Sequence, residues 1–127
     1  MRNVVLLLLG LAIGAIATAN IAGALRQRDA YPRGLMNVLQ YHYGTLREDV
    51  RSKHCSEVSL HHLEILRNLA DEIPAAVYPS SMPDVPFREY QQRLHDAVNA
   101  PARTCGEMPV LLERIGAACD ACHHQYR

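Results

Sequence analysis

The sequence predicts an all-α fold, an up-down-up-down antiparallel four-helix bundle preceded by an N-terminal hydrophobic helix. Three observations predict it. Apolar residues recur at spacings of three and four through four separate segments, the period of one helix face. Prolines cluster between those segments and at their starts. Trp is absent and Phe occurs once in 127 residues, where a β-sandwich would want more aromatic and β-branched side chains. The length suits one small domain. The formal net charge of zero removes any bulk electrostatic case for nucleic acid.

The first element is the hydrophobic one. Val4 to Leu25 carries no charged residue; Arg2 precedes it, and Arg26, Arg28 and Asp29 follow. One account is a cleaved signal peptide with Ala17-Thr18-Ala19 as the small-residue cleavage site. The other is an uncleaved anchor, because 22 residues at ~1.5 Å each span ~30 Å of hydrocarbon. The apolar run continues past Ala19 through Ile21, Ala22 and Leu25, long for a signal segment, which favours the anchor. Residues 1–25 are therefore a signal peptide or a signal-anchor transmembrane helix, and residues 26–127 the bundle. Either way the bundle is exported.

The first bundle helix is expected over about Pro32–Val50, with Leu35, Met36, Leu39, Tyr43, Leu46 and Val50 on one face. The second covers about Ser56–Ile73, with Val58, His62, Ile65, Leu66, Leu69 and Ile73 inward, and Pro74 stops it. Residues 74–86, with four prolines, form the longest connection. The third helix covers about Pro86–Ala100, turning Phe87, Tyr90, Leu94, Ala97 and Val98 inward. The fourth covers about Pro109–Tyr126, with Leu111, Leu112, Ile115, Cys119 and Cys122 as its stripe.

Cys119-Asp120-Ala121-Cys122-His123 is a C-x-x-C-H motif. On a helix its two cysteines lie on neighbouring turns, so both can form thioethers to the two vinyl groups of one haem. His123 follows at once, and histidine is the usual proximal ligand of haem iron. Two other chemistries use parts of this motif. A thioredoxin-like redox pair would want a preceding strand and a βαβ setting, and none is visible. A zinc site built on Cys119, Cys122, His123 and His124 would want a second ligand pair at matching spacing, and Cys55 and Cys105 belong to the other end of the bundle. Covalent haem c is the preferred expectation.

The ending Cys119-x-x-Cys122-His123-x-x-Tyr126-Arg127, on the last helix of a bundle, resembles the class II c-type cytochromes: cytochrome c′ and low-spin relatives such as cytochrome c556. The resemblance covers residues 30–127. Met36, followed eight residues later by Gly44 in His42-Tyr43-Gly44, is similar to the family's first helix. There the corresponding residue lies over the distal haem face, as methionine in low-spin members and as a non-coordinating apolar residue in gas-binding ones. The resemblance thus implies His123 and Met36 as axial iron ligands. The family often has an arginine one turn before the distal residue. Here Pro32 stands there and Arg33 one place later, so Arg33 and the terminal Arg127 are the candidate propionate contacts.

Topology agrees without the family. The start of the first helix and the end of the fourth share one end of such a bundle, so Met36 and His123 meet there. Cys55 precedes the second helix and Cys105 the fourth, which puts both at the opposite end. With export, that predicts a Cys55–Cys105 disulfide closing a loop of 50 residues.

The remaining histidines suggest no metal site: His61 is expected exposed, His62 partly buried, His124 solvated, and His42 nearly two turns from Met36. Met82 and Met108 fit no distal position. The expected function is a periplasmic mono-haem electron carrier with His/Met ligation, not an enzyme, tethered to the inner membrane by its N-terminus where that segment stays uncleaved. A five-coordinate binder of NO or CO is the first alternative, and a haem-free zinc-binding or structural subunit the second. The expected partners are redox proteins of the periplasm or inner membrane, with a homodimer left open.

Overall fold

Four helices make up the regular structure of the computed structural model, which describes residues 2–102 and 104–126, and for residues 2 and 25–29 the backbone alone. They are α1 (Arg2–Arg51), α2 (Glu57–Val77), α3 (Val85–Asn99) and α4 (Met108–Gln125). No strand occurs among the described residues. The chain divides into two compact units, Met1–Arg33 and Gly34–Arg127.

In the first unit, Asn3–Ala24 is 22 residues with a mean hydropathy of 2.4, long and apolar enough to cross a membrane. Its leucines and isoleucines are exposed on every side of the helix. A signal sequence has the same properties.

The second unit is the four-helix bundle. Its residue pairings fix the strand-like alternation of direction. His42 meets His62 and Asp49 meets Ser59, so α1 and α2 are antiparallel. Arg67 reaches Val98 and Ala100 while Ile73 packs with Phe87, so α2 and α3 are antiparallel. Tyr126 stacks edge-on to Phe87 and Tyr90, and Tyr43 bonds Leu112, which brings α4 back beside α3 and α1. This is the expected up-down-up-down order.

Two prolines depart from expectation. Helical backbone runs through Pro32 instead of starting there, and α2 continues past Pro74 to Val77. A proline costs one backbone hydrogen bond and crowds the preceding turn. In α2 the extra turn is repaid by burial of Ala76 beside Ile73 and Phe87 and closed by the Tyr78 N–H on the Pro74 carbonyl. The loop shrinks to residues 78–84. Val58, expected inward, is exposed, and the buried stripe of α2 is Ser59, Leu63, Leu66, Ala70, Ile73 and Ala76. The face is turned because the Ser59 hydroxyl, wholly buried, has two polar partners to meet. It donates to Asp49 Oδ2 at 2.7 Å and accepts the Ser56 N–H at 3.1 Å.

The core has two parts. The larger centres on Leu46, Leu63, Leu66, Val98, Met108, Leu111, Leu112 and Ile115. The smaller contains Leu35, Ile73, Ala76 and Phe87. The Cys55–Cys105 disulfide joins the starts of α2 and α4 beside the larger part, with Cα atoms 5.8 Å apart. At the same end the Arg67 guanidinium caps α3, donating to the carbonyls of Val98 and Ala100 at 2.8 and 3.3 Å.

Candidate functional site

Cys119, Cys122 and His123 all lie on α4, whose inward stripe descends through Leu111, Leu112 and Ile115 to the two cysteines. Both thiols are unpaired and half-buried, one helical turn apart. Burial, then the Asp120 carboxylate and Cys122, push the Cys119 thiol up to about 11. Burial also raises Cys122. Thiols held protonated at neutral pH are poor nucleophiles, which counts against a thioredoxin-like redox pair. His123 and His124 are exposed on the following half-turn.

Across from α4 stands α1, and one contact sets their register. Tyr43 lies in the notch left by Gly116: a Cβ at Gly116 would stand 2.6 Å from the Tyr43 hydroxyl oxygen. That hydroxyl donates to the Leu112 carbonyl at 3.1 Å. Seven residues from Tyr43 toward the start of α1 is Met36, and seven from Gly116 toward the end of α4 is His123. Seven residues is about two turns, so Met36 and His123 occupy facing levels of the antiparallel pair. Met36 is half-buried against the smaller core part, which Tyr126 also contacts. A groove of about 550 Å³ runs between the two helices on the other side of Tyr43, lined by Tyr43, Arg47, Leu112, Gly116 and Asp120 among others.

The end of α4 is tied down by Asp84, which caps α3. Its Oδ1 accepts from the Tyr126 hydroxyl at 2.7 Å and the Phe87 N–H at 2.8 Å, and its Oδ2 accepts from the Tyr78 hydroxyl at 3.2 Å. The Tyr126 bond, then the Phe87 N–H, hold the Asp84 carboxyl below its usual range, and the same bond pushes Tyr126 up to about 12. Sequence reasoning missed this clamp, although Asp84 two residues before Pro86 is a helix-start signal.

The residues fit a covalent haem in part. Two unpaired half-buried cysteines at the attachment spacing and a half-buried methionine at the level of His123 are the donor set that haem c requires. The His123 imidazole, exposed, would have to turn toward α1 to reach an iron on that side. Met82 is exposed in its loop, and Met108 is wholly buried in the core, so neither competes with Met36. Arg33 is exposed and belongs to the N-terminal unit; Arg127 lies outside the described residues. No group of three or more His, Cys, Asp or Glu side chains that could hold a metal ion occurs among the described residues, so Cys119, Cys122, His123 and His124 do not converge as a four-ligand set. His61 is exposed and His62 half-buried, as expected. The close approach of His42 to His62 was not foreseen.

No protein-family model, curated protein or solved structure matches the chain.

Proposed function

We propose that the chain is an exported mono-haem c-type cytochrome of class II that carries electrons and makes no bond on a substrate. The observation that carries this is the C-x-x-C-H motif on the inward stripe of α4, with both cysteines unpaired in a chain whose other two cysteines pair. When bound, haem supplies reversible one-electron Fe(III)/Fe(II) chemistry. Cys119 and Cys122 would hold it by thioethers, which a bundle this small needs because it cannot enclose the group fully. His123 would supply an imidazole nitrogen to the iron and Met36 a thioether sulphur, a donor that favours Fe(II). The Tyr43–Gly116 contact holds α1 and α4 in register, and the Asp84–Tyr126 bond ties the end of α4 to the start of α3, so that electron transfer would require little movement of either ligand.

The N-terminal apolar helix, uncleaved, would tether the bundle at the outer face of the inner membrane. Tethering raises the effective concentration of the bundle near membrane-bound redox partners. Cleaved, the same bundle would be soluble in the periplasm.

Intact mass after acid–acetone extraction tests the attachment: one haem is expected to remain on the chain, and a bare polypeptide mass overturns the proposal. The reduced absorption spectrum tests the ligation. A sharp low-spin α band is expected, and Met36→Ala should convert the iron to high spin, lower the potential and admit CO. An unchanged spectrum and CO reactivity in that variant would make Met36 a core residue and put the five-coordinate NO or CO binder in front.

A further inference from the structure

Away from the haem motif, α1 and α2 bring two histidines into contact. His42 Nδ1 and His62 Nδ1 lie 2.7 Å apart, both half-buried, with ring centroids 5.0 Å apart and planes inclined at 47°. Tyr41 stands edge-on to both rings. The two nitrogens come from different helices and are 20 residues apart in sequence, so the bundle itself, and not a local turn, holds them together.

A contact this short needs one proton between the nitrogens: one ring carries hydrogen on Nδ1 and the other presents a lone pair. Freed of that proton, the two Nδ1 atoms are a pair of imidazole donors within reach of one ion. We propose that His42 and His62 form a two-imidazole site for a borderline divalent cation of the Zn(II) or Cu(II) kind, with water completing the coordination. Imidazole nitrogen suits these ions, and neutral Nδ1 is a competent donor. Two Zn–N bonds of about 2.0 Å in tetrahedral geometry put the nitrogens about 3.3 Å apart. The rings therefore open by about 0.6 Å, which small side-chain rotations at a half-buried site allow. The proton that joined the rings moves to Nε2 of the ring that held it, so each imidazole stays neutral and no oxidant or reductant is involved. Burial, followed by the neighbouring charges of His62 and His61, lowers the pKa of His42, which favours the neutral ligand form near neutral pH. His61 takes no part: it is exposed and turned to Glu64, with Nδ1 3.9 Å from Oε2.

This site is independent of the haem, so it is tested on the full chain in detergent whether or not haem is attached. Zn(II) alone, titrated calorimetrically, is expected to bind one equivalent per chain at this site. His42→Gln and His62→Gln should each weaken that binding by at least the roughly tenfold that loss of an outer-shell partner costs a metal site, while His61→Gln leaves it in place. A second measurement needs no variant. Carbethoxylation of the parent chain, mapped by mass spectrometry, should show His42 and His62 protected by Zn(II) and His61 still reactive. Equal zinc binding in the His42→Gln/His62→Gln pair, no binding by the parent, or no protection of the two rings overturns the site.

Discussion

The two ends of the bundle are held by different means. At the disulfide end the helices are joined covalently through Cys55–Cys105 and the core is closed: Leu46 and Met108 are wholly inaccessible, and the buried Ser59 hydroxyl has both Asp49 and Ser56 as partners. At the motif end no covalent link joins the described residues. The core there is four buried side chains, ringed by half-buried ones: Met36, Leu39, Leu69, Leu94, Tyr78 and Tyr126. What holds that end is one carboxylate, Asp84, and a chain of edge-on aromatic contacts through Tyr78, Phe87, Tyr126 and Tyr90. Under the proposed function, the difference teaches how a bundle this small would serve a bulky prosthetic group. Stability is concentrated at one end, and the other keeps partly open the side chains that a planar guest would pack against.

The largest expected effect breaks the closed end. Replacing Cys55 and Cys105 by serine frees a loop of 50 residues and should cost about 4 kcal/mol in denaturant unfolding. If the chain carries haem as proposed, the absorption spectrum of the folded variant should not change, because the bond lies at the far end from Met36 and His123. A spectrum that shifted with the disulfide would show the two ends to be mechanically coupled.

A smaller effect is expected at the middle of the α1–α4 contact. Gly116→Ala would place a methyl group 2.6 Å from the Tyr43 hydroxyl oxygen, which must then leave the Leu112 carbonyl. Overpacking with loss of that hydrogen bond should cost about 1–3 kcal/mol. Tyr43→Phe in the same background should recover part of it by removing the clashing atom. If Gly116→Ala alone were as stable as the parent, the notch would have no role in setting the register.

The smallest effect belongs to Asp84 and appears as a pH dependence. Its folded-state pKa lies below the ordinary value, so its contribution to stability is present above the unfolded carboxyl pKa and is lost as pH falls through the folded one. Near neutral pH, Asp84→Asn should melt below the parent; as pH falls past the usual carboxylate range, the gap in Tm should close. A gap that stayed constant with pH would mean that the carboxylate charge adds nothing to the Tyr126 and Phe87 hydrogen bonds.

Much of this molecule was legible in its sequence, for identifiable reasons. The apolar stripes of α1, α3 and α4 followed helical period, and the residues expected inward there are buried or half-buried. The order of four alternating helices then put Cys55 beside Cys105, because topology alone decides which helix ends share a face. The α2 stripe was misjudged at Val58 because the partner that turned it, Asp49, belongs to another helix. Pro74 read as a stop because local cost was visible and the distant burial of Ala76 was not.

By itself, then, the sequence determined the number and order of the helices in the bundle, the apolar N-terminal segment, the spacing of Cys119, Cys122 and His123, and the pairing of the remaining cysteines. These depend on local periodicity, on where turns fall, and on connectivity. Tertiary structure alone decided the Tyr43–Gly116 notch, the hold of Asp84 on Tyr126, the exposed state of His123 and the meeting of His42 with His62. Each of these depends on how far a helix is rotated about its own axis and slid along its neighbour. A step of one residue turns a side chain by about 100°, so a small change in either motion separates the partners, and only the packed core sets both.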